Sequence, residues 1–176
     1  MHNNARGFSL VELMMVVAII GILAMITAPS FVTGLPTYRI RAAVRDCTSQ
    51  LRNARHLAIK EKRDVNVVFS PAKGYLEVDG RNFPAYSSFT ATYGSGVAFG
   101  RGSATSGVGG DSIPADGIDI NDDSFAFTSR GLAEFSAGAV NGAVYFTNTR
   151  GDSYAVAINA AGAVSLLRWR GSTWVR

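Results

Sequence analysis

Between Phe8 and Ala28 the chain reads FSLVELMMVVAIIGILAMITA, 21 residues in which Glu12 is the one charge. As an α-helix this stretch spans about 31 Å, enough to cross the hydrocarbon core of a bilayer. Ahead of it stands a short polar head, Met1 to Gly7, carrying Arg6. Three readings compete: a secretory signal, an ordinary anchor, and a leader cut off in front of the apolar run. A secretory signal needs small residues at −3 and −1 after its apolar core. The best candidate here has Ile26 and Ala28 in those places with Pro29 directly behind, and Glu12 inside the core is foreign to the pattern.

Glu12 separates the other two readings. A carboxylate inside a membrane span costs several kcal/mol, of the order of 3, unless it is paired or neutralised, so it points to function. Cutting between Gly7 and Phe8 would create a cationic α-amine four residues before Glu12. The Glu12 of a neighbouring subunit could pair with that amine where the surroundings have a low dielectric constant. The alternative is a shallow Glu12 at headgroup depth. The segment Gly7 to Gly21, GFSLVELMMVVAIIG, resembles the cleavage and methylation segment of type IV pilins and type II secretion pseudopilins. The resemblance implies that Gly7 ends a leader removed by a prepilin peptidase. It implies that Phe8 becomes the N-methylated first residue, that Glu12 acts in assembly, and that Pro29 kinks the helix. It also implies an inner-membrane, single-pass protein with its globular part in the periplasm, later incorporated among other pilin or pseudopilin subunits. Charge alone argues the other way. Arg39, Arg41 and Arg45 outnumber Arg6 beside the span, and by the positive-inside rule would hold that side in the cytoplasm.

Pro29, Gly34 and Pro36 predict a kink or a locally unwound stretch between about Pro29 and Pro36. Helical periodicity then resumes, with Ile40, Val44, Cys47, Leu51, Ala54 and Ala58 forming one apolar stripe. Arg41, Arg45, Arg52 and Arg55 lie off it and are expected to face water or a partner subunit. Cys47, the one cysteine, falls on the stripe as a small buried hydrophobe, and a disulfide within the chain is impossible.

From about Asp64 the period becomes that of strands. Val65, Val67 and Phe69 alternate, as do Phe125 and Phe127, Val144 and Phe146, and Tyr154, Val156 and Ile158. Turn signals fall at Pro71–Gly74, Ser129–Gly131 and Thr149–Asp152, and Asn159–Gly162 closes a final hairpin returning through Ala163–Trp169. The helix around Val44 to Ala58 is the natural cover for such a sheet system. The expected fold class is therefore α+β, a long N-terminal helix packed on an antiparallel β-domain. The expected division is a leader over 1–7, a transmembrane half-helix over 8–28, its kinked and amphipathic continuation over 29–62, and a β-rich domain over 63–176.

Residues 94–117 hold eight glycines in 24 and predict a flexible surface loop. No phosphate-cradling GxxxxGK[ST] pattern occurs in them. Asp116, Asp119 and Asp122 are weak calcium candidates, since carboxylates suit calcium but the spacing fits no EF-hand. Aspartate is also common in turns for its own hydrogen bonds. The only histidines are His2 and His56, with no nucleophile or metal-ligand spacing around either, so neither an enzyme nor a cofactor is expected.

FAFTSRGLAEF (Phe125 to Phe135) and YAVAINAAGAVSLLRW (Tyr154 to Trp169) resemble the GspH/FimT family of minor pseudopilins and minor pilins. One branch implies a subunit that primes or caps a type II secretion pseudopilus and supports protein export across the outer membrane. The other implies a FimT-like type IV pilus subunit that binds DNA for uptake or adhesion. Members of that branch linked to DNA carry Gly-Arg-x-Arg in the last hairpin, where this chain has Gly162-Ala163-Val164-Ser165. Arg168, Trp169, Arg170, Trp174 and Arg176 still make a basic, aromatic tail able to meet phosphates and bases. The competing reading, which is preferred, packs the Trp rings on the core and solvates the arginines.

Overall fold

The computed structural model describes residues 8–85 and 87–176, except for the side chains of 28–31. The leader expected over 1–7, with Gly7, lies outside the described residues. Two compact units meet between Leu35 and Pro36. Helix α1 (Leu10–Glu61) contributes to both. Its backbone is helical without a break through Pro29, Gly34 and Pro36, so the locally unwound stretch is not found. Each proline removes one ladder bond, and the turns on either side keep theirs.

In the second unit α1 covers two antiparallel sheets. The first has the order β3 (Arg81–Phe83), β2 (Tyr75–Val78), β1 (Val65–Ser70), β6 (Ser124–Phe127) and β7 (Ala133–Phe135). The second runs β11 (Trp174–Val175), β10 (Val164–Trp169), β9 (Ser153–Asn159), β8 (Asn141–Thr147) and β4 (Ala98–Phe99), with β5 (Ile118–Asp119) also on β8. A short helix α2 (Phe89–Tyr93) precedes β4. Its N-terminus is capped by the Ser88 hydroxyl, which accepts from the Ala91 N–H. The fold is α+β, a long N-terminal helix followed by antiparallel sheets.

The expected stripe is the contact surface. Ile40, Val44, Cys47, Leu51 and Ala58 are fully buried and Ala54 nearly so. They pack with Val65, Val67 and Phe69 of β1, Phe125 and Phe127 of β6, Val144 and Phe146 of β8, and Val156 and Ile158 of β9. Burial pushes the Cys47 thiol far above its ordinary range, so it behaves as a small apolar side chain. Alternation holds on β1, where buried and exposed residues take turns.

Two expectations need correction. Of the four off-stripe arginines Arg45 and Arg52 are exposed as expected, but Arg41 and Arg55 are half-buried, and all but Arg45 bond to the β-domain. Arg41 donates to the Tyr154 hydroxyl at 2.8 Å, Arg52 to the Val164 carbonyl at 3.1 Å, and Arg55 to the carbonyls of Gly131 and Ala161 at 2.8 and 3.3 Å. A long aliphatic stem lets each guanidinium leave the helix and satisfy acceptors at the strand ends. Arg55 thereby clasps the β6–β7 turn to the β9–β10 hairpin. There Gly162 (φ 73°) passes so close to the Gly131 carbonyl that a Cβ would strike it. The second correction concerns residues 94–117, which do not form a free loop. β4 and β5 pair with β8. Val97 and Ala104 are buried, and the Val108 N–H donates to the Tyr145 hydroxyl at 2.8 Å. The segment covers the outer face of the second sheet, where Ala143, Tyr145 and Ala155 form a second small core with Val108, Ile113, Leu167 and Trp174.

Candidate functional site

The first unit carries the candidate site. The Ser9 carbonyl accepts from Leu13 and its hydroxyl from Val11, both at 3.2 Å, which starts α1 in the manner of an N-cap. From Leu10 to Thr27 the helix is 18 residues long, apolar, and not buried at any position. Leu10, Leu13, Val17, Ile20 and Leu23 are all more than half exposed. A helix apolar on every side has no face to give to water, and this one is long enough to cross a membrane. Thr27, at its end, returns its hydroxyl to the Leu23 carbonyl at 3.0 Å, so that polar group is satisfied within the helix.

Glu12 lies in the first turn of α1, where the positive end of the helix dipole favours a carboxylate. It is exposed and has no hydrogen-bond or ion-pair partner among the described residues. Phe8 precedes the helix, 84 % exposed. The arrangement is thus one unsatisfied carboxylate on an otherwise apolar helix, four residues from Phe8.

The tail residues are differently disposed from a free aromatic patch. Trp169 is buried, and its ring lies 5.2 Å from that of Trp174. Trp174 sits 5.4 Å from Tyr145 and donates its indole N–H to the Ser106 carbonyl at 2.8 Å. Arg168 stands over the Tyr154 ring at 5.8 Å, and Arg176 donates to the Ser165 hydroxyl at 3.3 Å. Arg170 is exposed. Stacking on bases would require the two indoles to leave the cover of the second sheet. No sequence signal paired Trp174 with Ser106, which stands 68 residues earlier.

Asp116 accepts from the Ile118 N–H at 3.0 Å, as a turn aspartate does. Burial and the nearby Asp111 raise the Asp119 carboxyl, and both line a cleft of about 410 Å³. Asp122 adopts a left-handed conformation (φ 58°) in the turn before β6. Among the described residues no three acidic, His or Cys side chains come together as a metal site would need. Sequence reading missed a polar junction at the β8–β9 turn. Burial raises the Asp152 carboxyl, but hydrogen bonds from Asn148 (3.0 Å) and Thr37 (2.7 Å) and the charges of Arg150 and Arg168 outweigh it and hold the group below the usual carboxylate range.

Comparison with known proteins identifies the N-terminal segment. Residues 2–28 match the prokaryotic N-terminal methylation motif. No curated protein matches the chain. Among solved structures, the type IV minor pilin FimU of Pseudomonas aeruginosa (strain PAO1) is similar at 12% identity, over 80% of this chain and 95% of that one, with a TM-score of 0.49. The likeness to that motif is confined to the N-terminal segment, residues 2–28.

Proposed function

We propose that this protein is a minor pilin or pseudopilin, a structural and non-catalytic filament subunit. It is anchored in the inner membrane through residues 10–27 with its β-domain in the periplasm, and cut between Gly7 and Phe8 by a prepilin peptidase. The observation that carries the reading is Glu12, without a partner among the described residues, on a helical stretch, Leu10–Thr27, that is apolar on every exposed side. An unpaired carboxylate in lipid is costly, and a cationic α-amine freed at Phe8 of an adjacent subunit is a partner of the right charge. Methylation of that amine leaves its charge in place. Pairing from one subunit to the next draws the helices together in steps, and a bend at Pro29 would let the first half follow the bundle while the second half stays on its own sheets. Once processed, the subunit joins other pilin or pseudopilin subunits and primes or caps a type II secretion pseudopilus or a type IV pilus.

Intact-mass measurement on the full chain co-expressed with a prepilin peptidase tests the reading. The expected product lacks residues 1–7 and carries one methyl group, and Gly7→Ala blocks both changes. A full-length mass under conditions that process a control prepilin would overturn the proposal.

A further inference from the structure

The first sheet ends at β3, which pairs only with β2. Asp79 and Gly80, both at positive φ (52° and 76°), form the two-residue turn between them. Such a turn makes Val78 and Arg81 a hydrogen-bonded pair, and the next pair, Glu77 and Asn82, a non-hydrogen-bonded one. Asn82 therefore turns its main-chain N–H and carbonyl outward, to an edge that no strand covers. Arg81 and Phe83, two residues apart, share the face that carries buried Leu76.

A cleft of about 500 Å³ opens between this edge and α1. Ala54, Leu57, Val78 and Phe83 supply its apolar lining, while Gln50 and Asn53 supply two carboxamides. The α1 side runs from Gln50 to Glu61, about 16 Å along the axis, the length of about five residues of extended chain. Neither carboxamide makes a side-chain hydrogen bond among the described residues, and Arg81 makes neither a hydrogen bond nor an ion pair there. Asp79, the carboxylate near Arg81, is already held at both oxygens by Arg63, at 2.8 and 2.6 Å.

We propose that this cleft captures an extended segment of another polypeptide, which adds to β3 as an antiparallel strand and carries a carboxylate two residues after an apolar side chain. Capture is independent of how α1 is anchored or processed. Each part of the occupant answers a group left open. Its main chain offers a donor and an acceptor to Asn82, and the same to Gln50 and Asn53. Its apolar side chain meets Phe83 and Leu57, and its carboxylate meets Arg81, whose guanidinium keeps all five donors. A small free carboxylate would satisfy Arg81 alone and leave the strand edge and the apolar lining unmatched.

Thermophoresis of the full chain, labelled at its N-terminus in nanodiscs and titrated with the peptide Gly-Ser-Thr-Leu-Thr-Asp-Thr-Gly, tests the capture, with labelled empty nanodiscs as the blank. Saturable binding is expected. Alanine in place of the peptide's leucine weakens it about tenfold. Arg81→Gln weakens it about fivefold, and has no effect on a peptide with Asn for Asp. N-methylation of the threonine between Leu and Asp, which removes the donor to the Asn82 carbonyl, weakens it about tenfold, as does Asn82→Pro, a change an edge strand tolerates. The peptide with Leu and Asp exchanged binds about tenfold more weakly. Absence of saturation up to about 1 mM peptide overturns the proposal, that being the weak end of specific recognition. Equal affinity for the N-methylated or exchanged peptide overturns it too, whether or not either protein variant folds.

Discussion

Helix α1 places apolar side chains in two different surroundings. Over Leu10–Thr27 they point in every direction and none is buried. Between Ile40 and Ala58 they gather on one buried side, and seven of them are 0–1% exposed. The polar residues differ just as sharply. In the first stretch Glu12 has no partner among the described residues, whereas in the second Arg41, Arg52 and Arg55 all reach acceptors on the β-domain. One helix is thus written for two solvents. The second stretch finds its apolar partner in its own chain, and the first must find it elsewhere, in lipid or in other helices. The stripe is information about folding, and the unbroken apolar run is information about location and assembly.

Substitutions should respect this division. Leu51→Ala removes a fully buried side chain from the face of α1 that packs in the core and should cost about 2–5 kcal/mol of domain stability. Urea unfolding of the full chain in detergent, followed by the fluorescence of Trp169 and Trp174, reads the loss. Extraction from membranes by alkaline carbonate should not change. Ile19→Lys should do the reverse. A lysine at the centre of the span costs about 3 kcal/mol of insertion. The fraction retained in carbonate-washed membranes should fall, while the urea midpoint in detergent stays at the unsubstituted value. If Leu51→Ala left the urea midpoint unmoved, or Ile19→Lys shifted it, the two stretches would not be independent and the comparison would fail.

Both stretches were legible in the sequence because their signals are local. A run of apolar residues with one carboxylate occupies one window, and the stripe from Ile40 to Ala58 repeats at a period that only a helix has. Strand alternation located Val65, Val67 and Phe69 for the same reason. What was not legible depends on distant residues. That Arg55 would clasp Gly131 and Ala161 requires the β6–β7 turn and the β9–β10 hairpin to meet, more than 70 residues from the helix. Periodicity states which face an arginine starts from and not where its long stem ends. The second core was hidden because its cover comes from glycine-rich chain, where Val108 and Ile113 are too isolated to make a pattern. Both buried faces of β8, with Ala143, Val144, Tyr145 and Phe146 all buried, were its one sequence sign.

The smallest expected effect sits where the second stretch begins. Thr37 and Asn148 donate to the Asp152 carboxylate, and with Arg150 and Arg168 they hold its pKa below the usual value against the opposite push of burial. A carboxyl depressed in the folded state binds its proton more readily when unfolded. Its contribution is therefore fully present above the unfolded pKa, about 4, and is lost as pH falls through the lower, folded value. Asp79, hydrogen-bonded to Arg63 at the surface, is depressed too and adds to the same slope. Asp119 and Asp123, raised first by burial and then by neighbouring carboxylates, act in the opposite sense, since protonation favours their folded surroundings. Asp152→Asn should consequently lower the urea midpoint modestly at pH 7, and the difference from the unsubstituted chain should shrink as the pH is brought from 5 towards 3. Extraction by alkaline carbonate should be the same for the two proteins. A difference between the two proteins that stayed constant with pH would mean that the junction is held by hydrogen bonding alone, with no part played by the charge on Asp152.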